Sequence, residues 1–173
     1  MPTFGFGVFF AGLYGTTLGY THAGLFYTIS AVSMIIIRMI SKHFMDTVPA
    51  IKTMTGAVAC GILCCLMLLA APYGEPVFLA SGIFYGLATG ISLPLNQSVA
   101  VKNTPPERWG AANALFLLAN DIGIGFASVI WGVINDSFGF QTSIVCVIVC
   151  LIASYASAWI VYPARDKRGG IRA

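Results

Sequence analysis

Between Trp109 and Asn135 the only charged side chain is Asp121. A carboxylic acid inside an apolar helix can take up and release a proton, or it can anchor a hydrogen bond to a neighbouring helix. Placed at mid-membrane it costs about 2.5–3.5 kcal/mol. Leu115, Phe116, Leu117, Leu118, Ile122 and Ile124 each return about 0.3–0.6 kcal/mol, so the segment can insert with its acid aboard. Insertion does not require the acid, however. Asp121 is therefore a candidate for proton coupling, and the competing reading is a structural carboxyl bonded to Asn120 or to another helix. Burial would disfavour its charged form.

A second set of polar groups shares one helix face. Ser81, Tyr85, Thr89, Ser92 and Asn96 recur at spacings of three and four. Such a stripe on an apolar helix faces protein or water rather than lipid, either as a cavity wall contacting a polar solute or as hydrogen-bonding glue between helices. Beside it Gly82, Gly86 and Gly90 form a stripe of small residues that permits close helix contact. Pro94 should kink this helix and free a backbone carbonyl. Asn113 and Asn120, seven apart, share a face of the helix that carries Asp121. Gly12, Gly15 and Gly19 point to close packing or an irregular helix near the start of the chain.

The elements that must hold these groups follow from composition. The chain has 173 residues, of which 58% are hydrophobic and 9% charged, and its mean hydropathy is +0.86. Soluble domains carry about 25% charged residues, so there are too few here to coat a globule. Alternating strand patterns are missing, which disfavours an outer-membrane barrel. An all-α membrane protein remains. The net charge of +3 comes from basic residues between apolar runs and not from a stripe, so nucleic acid is not an expected partner. Cys60, Cys64, Cys65, Cys146 and Cys150 all lie in apolar runs, with no His or carboxylate spaced to complete a zinc site. They are read as packing residues, and no metal or cofactor is expected. His22 and His43 likewise lack partners for catalysis. The start of the chain carries no Lys or Arg of the kind a signal peptide shows.

Charges and turn formers predict six spans, at about 3–20, 23–40, 53–71, 77–101, 109–135 and 142–162, with a basic tail over 163–173. Arg38, Lys42 and Lys52 flank the second connection. Lys102 and Arg108 flank the fourth, and Arg165, Lys167, Arg168 and Arg172 follow the sixth span. All nine basic residues then fall on one side, which the positive-inside rule makes cytoplasmic, together with both termini. This predicts a multi-pass protein of the cell membrane. "FMDTV" (44–48) and "INDSF" (134–138) lie on opposite faces, each near the end of the middle span of a group of three, as an inverted three-plus-three repeat would place them.

Two stretches resemble the major facilitator superfamily, in the C-terminal half of its twelve-helix transporters. "PPERWGAANALFLLANDIGIG" (105–125) with "WGVINDSFG" (131–139) is similar to the eleventh helix of members that resemble drug/proton antiporters, the Pro-Glu-Arg-x-Gly opening at Pro106, Glu107, Arg108 and Gly110 being the most specific part. "IRMISKHFMDTVP" (37–49) resembles the loop between helices eight and nine. Arg38 and Asp46 match that gating loop, whereas Lys42, Thr47 and Pro49 stand where the family has Gly, Arg and Gly, so the loop is degenerate. The resemblance covers the chain as helices seven to twelve. It implies one half of a secondary transporter that moves a small-molecule substrate across the lipid bilayer by rocking, with proton coupling. It also implies that the first half is missing, so the chain is expected to be either a truncated product or one that pairs with another half. A homodimer or a separate N-terminal half would cover the polar surface of Ser81, Tyr85, Asn96 and Asp121, which is poorly matched to lipid.

Two other classes compete. A non-transporting interaction or assembly protein derived from such a half is the alternative, favoured by the degenerate loop. An intramembrane protease would need a Ser–His pair or paired Asp residues within spans, and a lone mid-span Asp does not supply them.

Overall fold

The computed structural model describes the backbone of residues 2–47, 50–102 and 104–169, and side chains within 5–41, 50–101 and 104–157 and at Trp159. The helices are α1 (Pro2–Phe9), α2 (Ala11–Thr17), α3 (Leu25–Thr47), α4 (Ala50–Leu69), α5 (Glu75–Lys102) and α6 (Trp109–Gly169), with 3₁₀ turns at Ala71–Tyr73 and Pro106–Arg108. No strand occurs among the described residues. By length and apolarity, 50–69, 75–101 and 106–157 can each cross a membrane. In lipid every backbone polar group must be satisfied internally, and helices do this within one segment. The protein is an all-α membrane protein.

Two glycines set the turns. Gly139, at φ 80° and ψ 168°, is the non-helical residue inside α6 and divides it into limbs over 109–138 and 140–169. A Cβ there would meet nothing within 4 Å, so glycine is needed for the positive φ and not for space. The polar run Asp136–Gln141 was expected as a connection between two spans; the break is confined to this one residue. Gly19, at φ 79°, ends α2. Its N–H donates to the Thr16 carbonyl at 3.0 Å and that of Tyr20 to the Gly15 carbonyl at 3.1 Å, the Schellman pattern that satisfies a helix's last carbonyls.

Helix directions can be read from contacts between neighbours. Gly82 meets Phe26 and Ser30, Gly86 meets Ser30 and Ser33, and Gly90 meets Met34 and Ile37, so α5 runs parallel to α3. Gly5 lies on Ala127 and Phe6 packs edge-on to Trp131 at 5.9 Å, so α1 runs parallel to the first limb of α6, and Tyr14 of α2 packs at 5.1 Å against Phe140, just past the Gly139 break. Gly61 lies on Leu151 while Thr55 and Tyr155 share a hydrogen bond of 2.9 Å, so α4 runs antiparallel to the second limb.

Packing is tightest at the end opposite the basic residues. Phe26, Ala71, Phe78, Ser81, Ser143 and Ile144 are wholly buried there. The turn around Tyr20 and His22 is tied to that between α4 and α5. The Tyr20 hydroxyl donates to the Ala71 carbonyl at 2.5 Å, and the His22 backbone N–H donates to Glu75 Oε1 at 3.0 Å. Ile35, Leu115, Phe126, Val129, Val133 and Val149 are exposed on the outside of the bundle, as a lipid-facing surface requires.

Candidate functional site

A cavity of about 470 Å³ opens among α1, α4, α5 and both limbs of α6. Its walls are Met54 to Leu68 of α4, Tyr85 to Ala100 of α5, Phe116, and Val147 to Ser157 of the second limb, with Phe6 and Gly7 of α1. On α4, α5 and the second limb the lining ends at Leu68, Tyr85 and Val147, just short of the wholly buried Ala71, Ser81 and Ile144. The tightly packed end therefore acts as the floor.

Of the polar face expected on α5, Tyr85, Thr89, Ser92 and Asn96 line the cavity. Ser81 does not. It is wholly buried one turn further toward the floor, and its Oγ donates to the Phe78 carbonyl at 2.6 Å. Thr89 Oγ1 donates to the Tyr85 carbonyl at 2.8 Å, which leaves its acceptor lone pairs for a solute. The adjoining glycine stripe faces α3: a Cβ on Gly86 would collide with the Ser30 carbonyl, and one on Gly82 would stand 2.9 Å from the Phe26 carbonyl oxygen. Close packing on one side of α5 thus aims its polar side at the cavity. Pro94 lies inside α5, which continues as helix to Lys102.

Asn113 and Asn120 both face inward. Asn113 Oδ1 accepts from Gln97 Nε2 at 2.5 Å, which joins α5 to the start of the first limb. Asn120 is 9% exposed, and its Oδ1 has no hydrogen-bond partner, an arrangement that costs about 1–3 kcal/mol unless a ligand or water supplies a donor. Asp121 is placed differently. One residue on, and about 100° round the helix, it is exposed beside the exposed Leu117, Leu118 and Ile122 and does not line the cavity. Arg38 is exposed near the end of α3, and the Asp46 side chain lies outside the described residues.

Several wall residues were not singled out from the sequence. Cys64 and Cys65 are buried behind the polar face and border the cavity, as do Met54, Phe6 and Phe116. Gln97, beside Asn96, lies off the polar stripe of α5 and yet bonds to Asn113. Helical periodicity could have placed Cys64 and Leu68 on one face of α4, but nothing in it names that face as a cavity wall. The described lining contains no Asp, Glu, Lys or Arg. An apolar chamber with a few convergent hydroxyls and an amide can hold a small organic molecule by its apolar body and orient it by its polar groups. It offers no fixed charge to neutralise an ion, and no group of three or more His, Cys, Asp or Glu that could hold a metal occurs among the described residues.

The fold and cavity can be set beside known proteins. The chain is similar to the staphylopine export protein of Staphylococcus aureus (strain Mu50 / ATCC 700699), with 26% identity over 153 residues; the match takes in 84% of this chain and 38% of that protein. The chain therefore spans well under half the length of this relative. No solved structure matches it significantly. All of residues 1–173 match the family described as Major Facilitator Superfamily, and with an apolar helical bundle as its fold the chain belongs to that superfamily.

Proposed function

We propose that the chain is a six-span half of a secondary transporter of the cell membrane, moving a small organic solute by rocking-type alternating access. The observation that carries this reading is the cavity, where Tyr85, Thr89, Ser92 and Asn96 converge on an apolar chamber. The export protein among its relatives agrees with outward movement of the solute. The six spans are α1 with α2, α3, α4, α5 and the two limbs of α6. Exchanging the first three with the last three carries the parallel α3/α5 pair onto the parallel pair of α1 and the first limb, which supports an inverted three-plus-three repeat. The one-sided basic residues support a cytoplasmic placement of both termini. The chemistry is binding and movement, with no catalytic step.

Asp121 gives the reading its second part. An exposed carboxylate flanked by Leu117, Leu118 and Ile122 is poorly matched to lipid. We assign this face of the first limb to contact with a second six-span unit, either another copy or a separate N-terminal half, where Asp121 exchanges the coupling proton. A non-transporting assembly role remains the second reading, favoured by the degenerate stretch at Lys42, Thr47 and Pro49. Proteoliposomes holding the chain, a trapped pH dye and a panel of added solutes separate the two. Solute-dependent proton movement supports transport, and its absence in both the chain alone and the chain with a six-span partner supports assembly.

A further inference from the structure

The first apolar stretch is broken between α1 and α2, and the break contains a side chain from another helix. The Gly12 N–H donates to the Tyr27 hydroxyl at 3.0 Å, and the same hydroxyl donates to the Val8 carbonyl at 2.9 Å. Gly12 and Val8 are residues i and i−4, the pair that an uninterrupted α-helix joins directly. Tyr27, from α3, is thus wedged into the backbone ladder, a recognised cause of sharp helix kinks. The wedge also makes the break tolerable in lipid. Val8 and Tyr27 are 37% and 38% exposed, and an opened N–H and C=O at that surface would each lack water. One hydroxyl satisfies both.

The fit is specific to glycine. A Cβ on Gly12 would stand 2.6 Å from the Tyr27 ring and 2.7 Å from its oxygen. Beyond the wedge the two pieces are held differently. On the α2 side Gly15 is pressed between Phe78 and Ala23, within the tightly packed floor. On the α1 side Phe6 and Gly7 form part of the cavity wall, with Gly7 directly against the Tyr85 ring. A change of angle at the wedge therefore swings α1 and leaves α2 in place.

We propose that Tyr27 is a positioning residue: its hydroxyl, inserted between Gly12 and Val8, sets the angle of α1 and so holds Phe6 and Gly7 as a flap against Tyr85 on the cavity wall. The proposal rests on the cavity being the solute site. Removing the hydroxyl leaves Gly12 and Val8 free to bond to each other, and α1 then straightens away from Tyr85.

Two readouts on the full chain in nanodiscs test this, and neither requires transport. The first is amide exchange over residues 8–14. The second is the rate at which a small maleimide labels Cys64, kept as the single cysteine. In Tyr27→Phe the Gly12 N–H trades a half-exposed side-chain acceptor for the Val8 carbonyl inside a continuous helix, so exchange there should slow severalfold, and Cys64 labelling should rise severalfold. Gly12→Ala, which expels the ring from the other side, should do the same, and the double variant should add nothing further. Unchanged or faster exchange in both variants, or slowed exchange with Cys64 labelling unaltered, would overturn the assignment. Loss of the transport reading would leave both readouts in place, so the two failures are distinguishable.

Discussion

Gln97 and Asn113 meet side chain to side chain at 2.5 Å, three residues past Pro94 on α5 and one turn into α6. Pro94 has no N–H to offer the preceding turn, so the end of α5 has weaker internal support than the rest. The amide pair clamps it to the first limb close to the cavity-lining Asn96. Polar bonds between membrane helices contribute about 0.6 kcal/mol on average and up to about 1.7. Gln97→Leu should therefore lower the thermal unfolding midpoint in detergent by a few degrees, and Asn113→Leu should do no further harm once Gln97 is gone. Additive losses in the double variant would mean that the two residues act separately.

The contact between α3 and α5 should be the least forgiving place for added volume. A Cβ on Gly86 collides with the Ser30 backbone carbonyl, which cannot move as a side chain can. Gly86→Ala should cost about 1–3 kcal/mol, the range for overpacking. Gly110→Ala meets nothing within 4 Å and lies on an exposed surface, so it should be neutral or stabilising. Chemical denaturation of both variants in the same detergent gives the comparison.

These two glycines show how far the sequence could be read. The stripe at Gly82, Gly86 and Gly90 and the polar face beside it were legible because helical periodicity fixes which residues share a side, and apolarity told which neighbours must be protein. The wedge at Tyr27 was not legible. It joins residues fifteen and nineteen apart in sequence, and no pattern marks one tyrosine among several as the one that enters a backbone ladder. Asn120 and Asp121 show the same limit. Their separation around the helix follows from adjacency, but which of the two turns inward depends on where α1 and α5 pack. The Gly139 turn was hidden by polar neighbours that resemble a longer loop.

Orientation is open to direct labelling. Single cysteines at Gly74 and at Asn103 should lie on opposite sides of the membrane, because the first adjoins connections without Lys or Arg and the second adjoins Lys102. An impermeant maleimide added to intact cells should label Cys at Gly74 and spare Cys at Asn103. The reverse pattern would invert the topology.

Asp121 separates coupling from assembly. Asp121→Asn keeps the shape and hydrogen-bonding capacity of the side chain but cannot release a proton. It should preserve association of six-span units, measured by crosslinking in membranes, while abolishing proton movement. Asp121→Leu should leave a partner group unsatisfied and weaken association as well. Normal proton movement in Asp121→Asn would remove the residue from the coupling path.

The most direct measurement on the solute site is to fill the cavity. Ser92 lies on its wall midway along the polar face of α5, and Ser92→Trp would occupy much of the chamber. In proteoliposomes with a solute that drives proton movement through the unaltered chain, that movement should be lost in Ser92→Trp, and the same solute should slow maleimide labelling of Cys64. Undiminished transport in a correctly folded Ser92→Trp protein, with Cys64 labelling indifferent to the solute, would contradict the assignment of this cavity as the transport site.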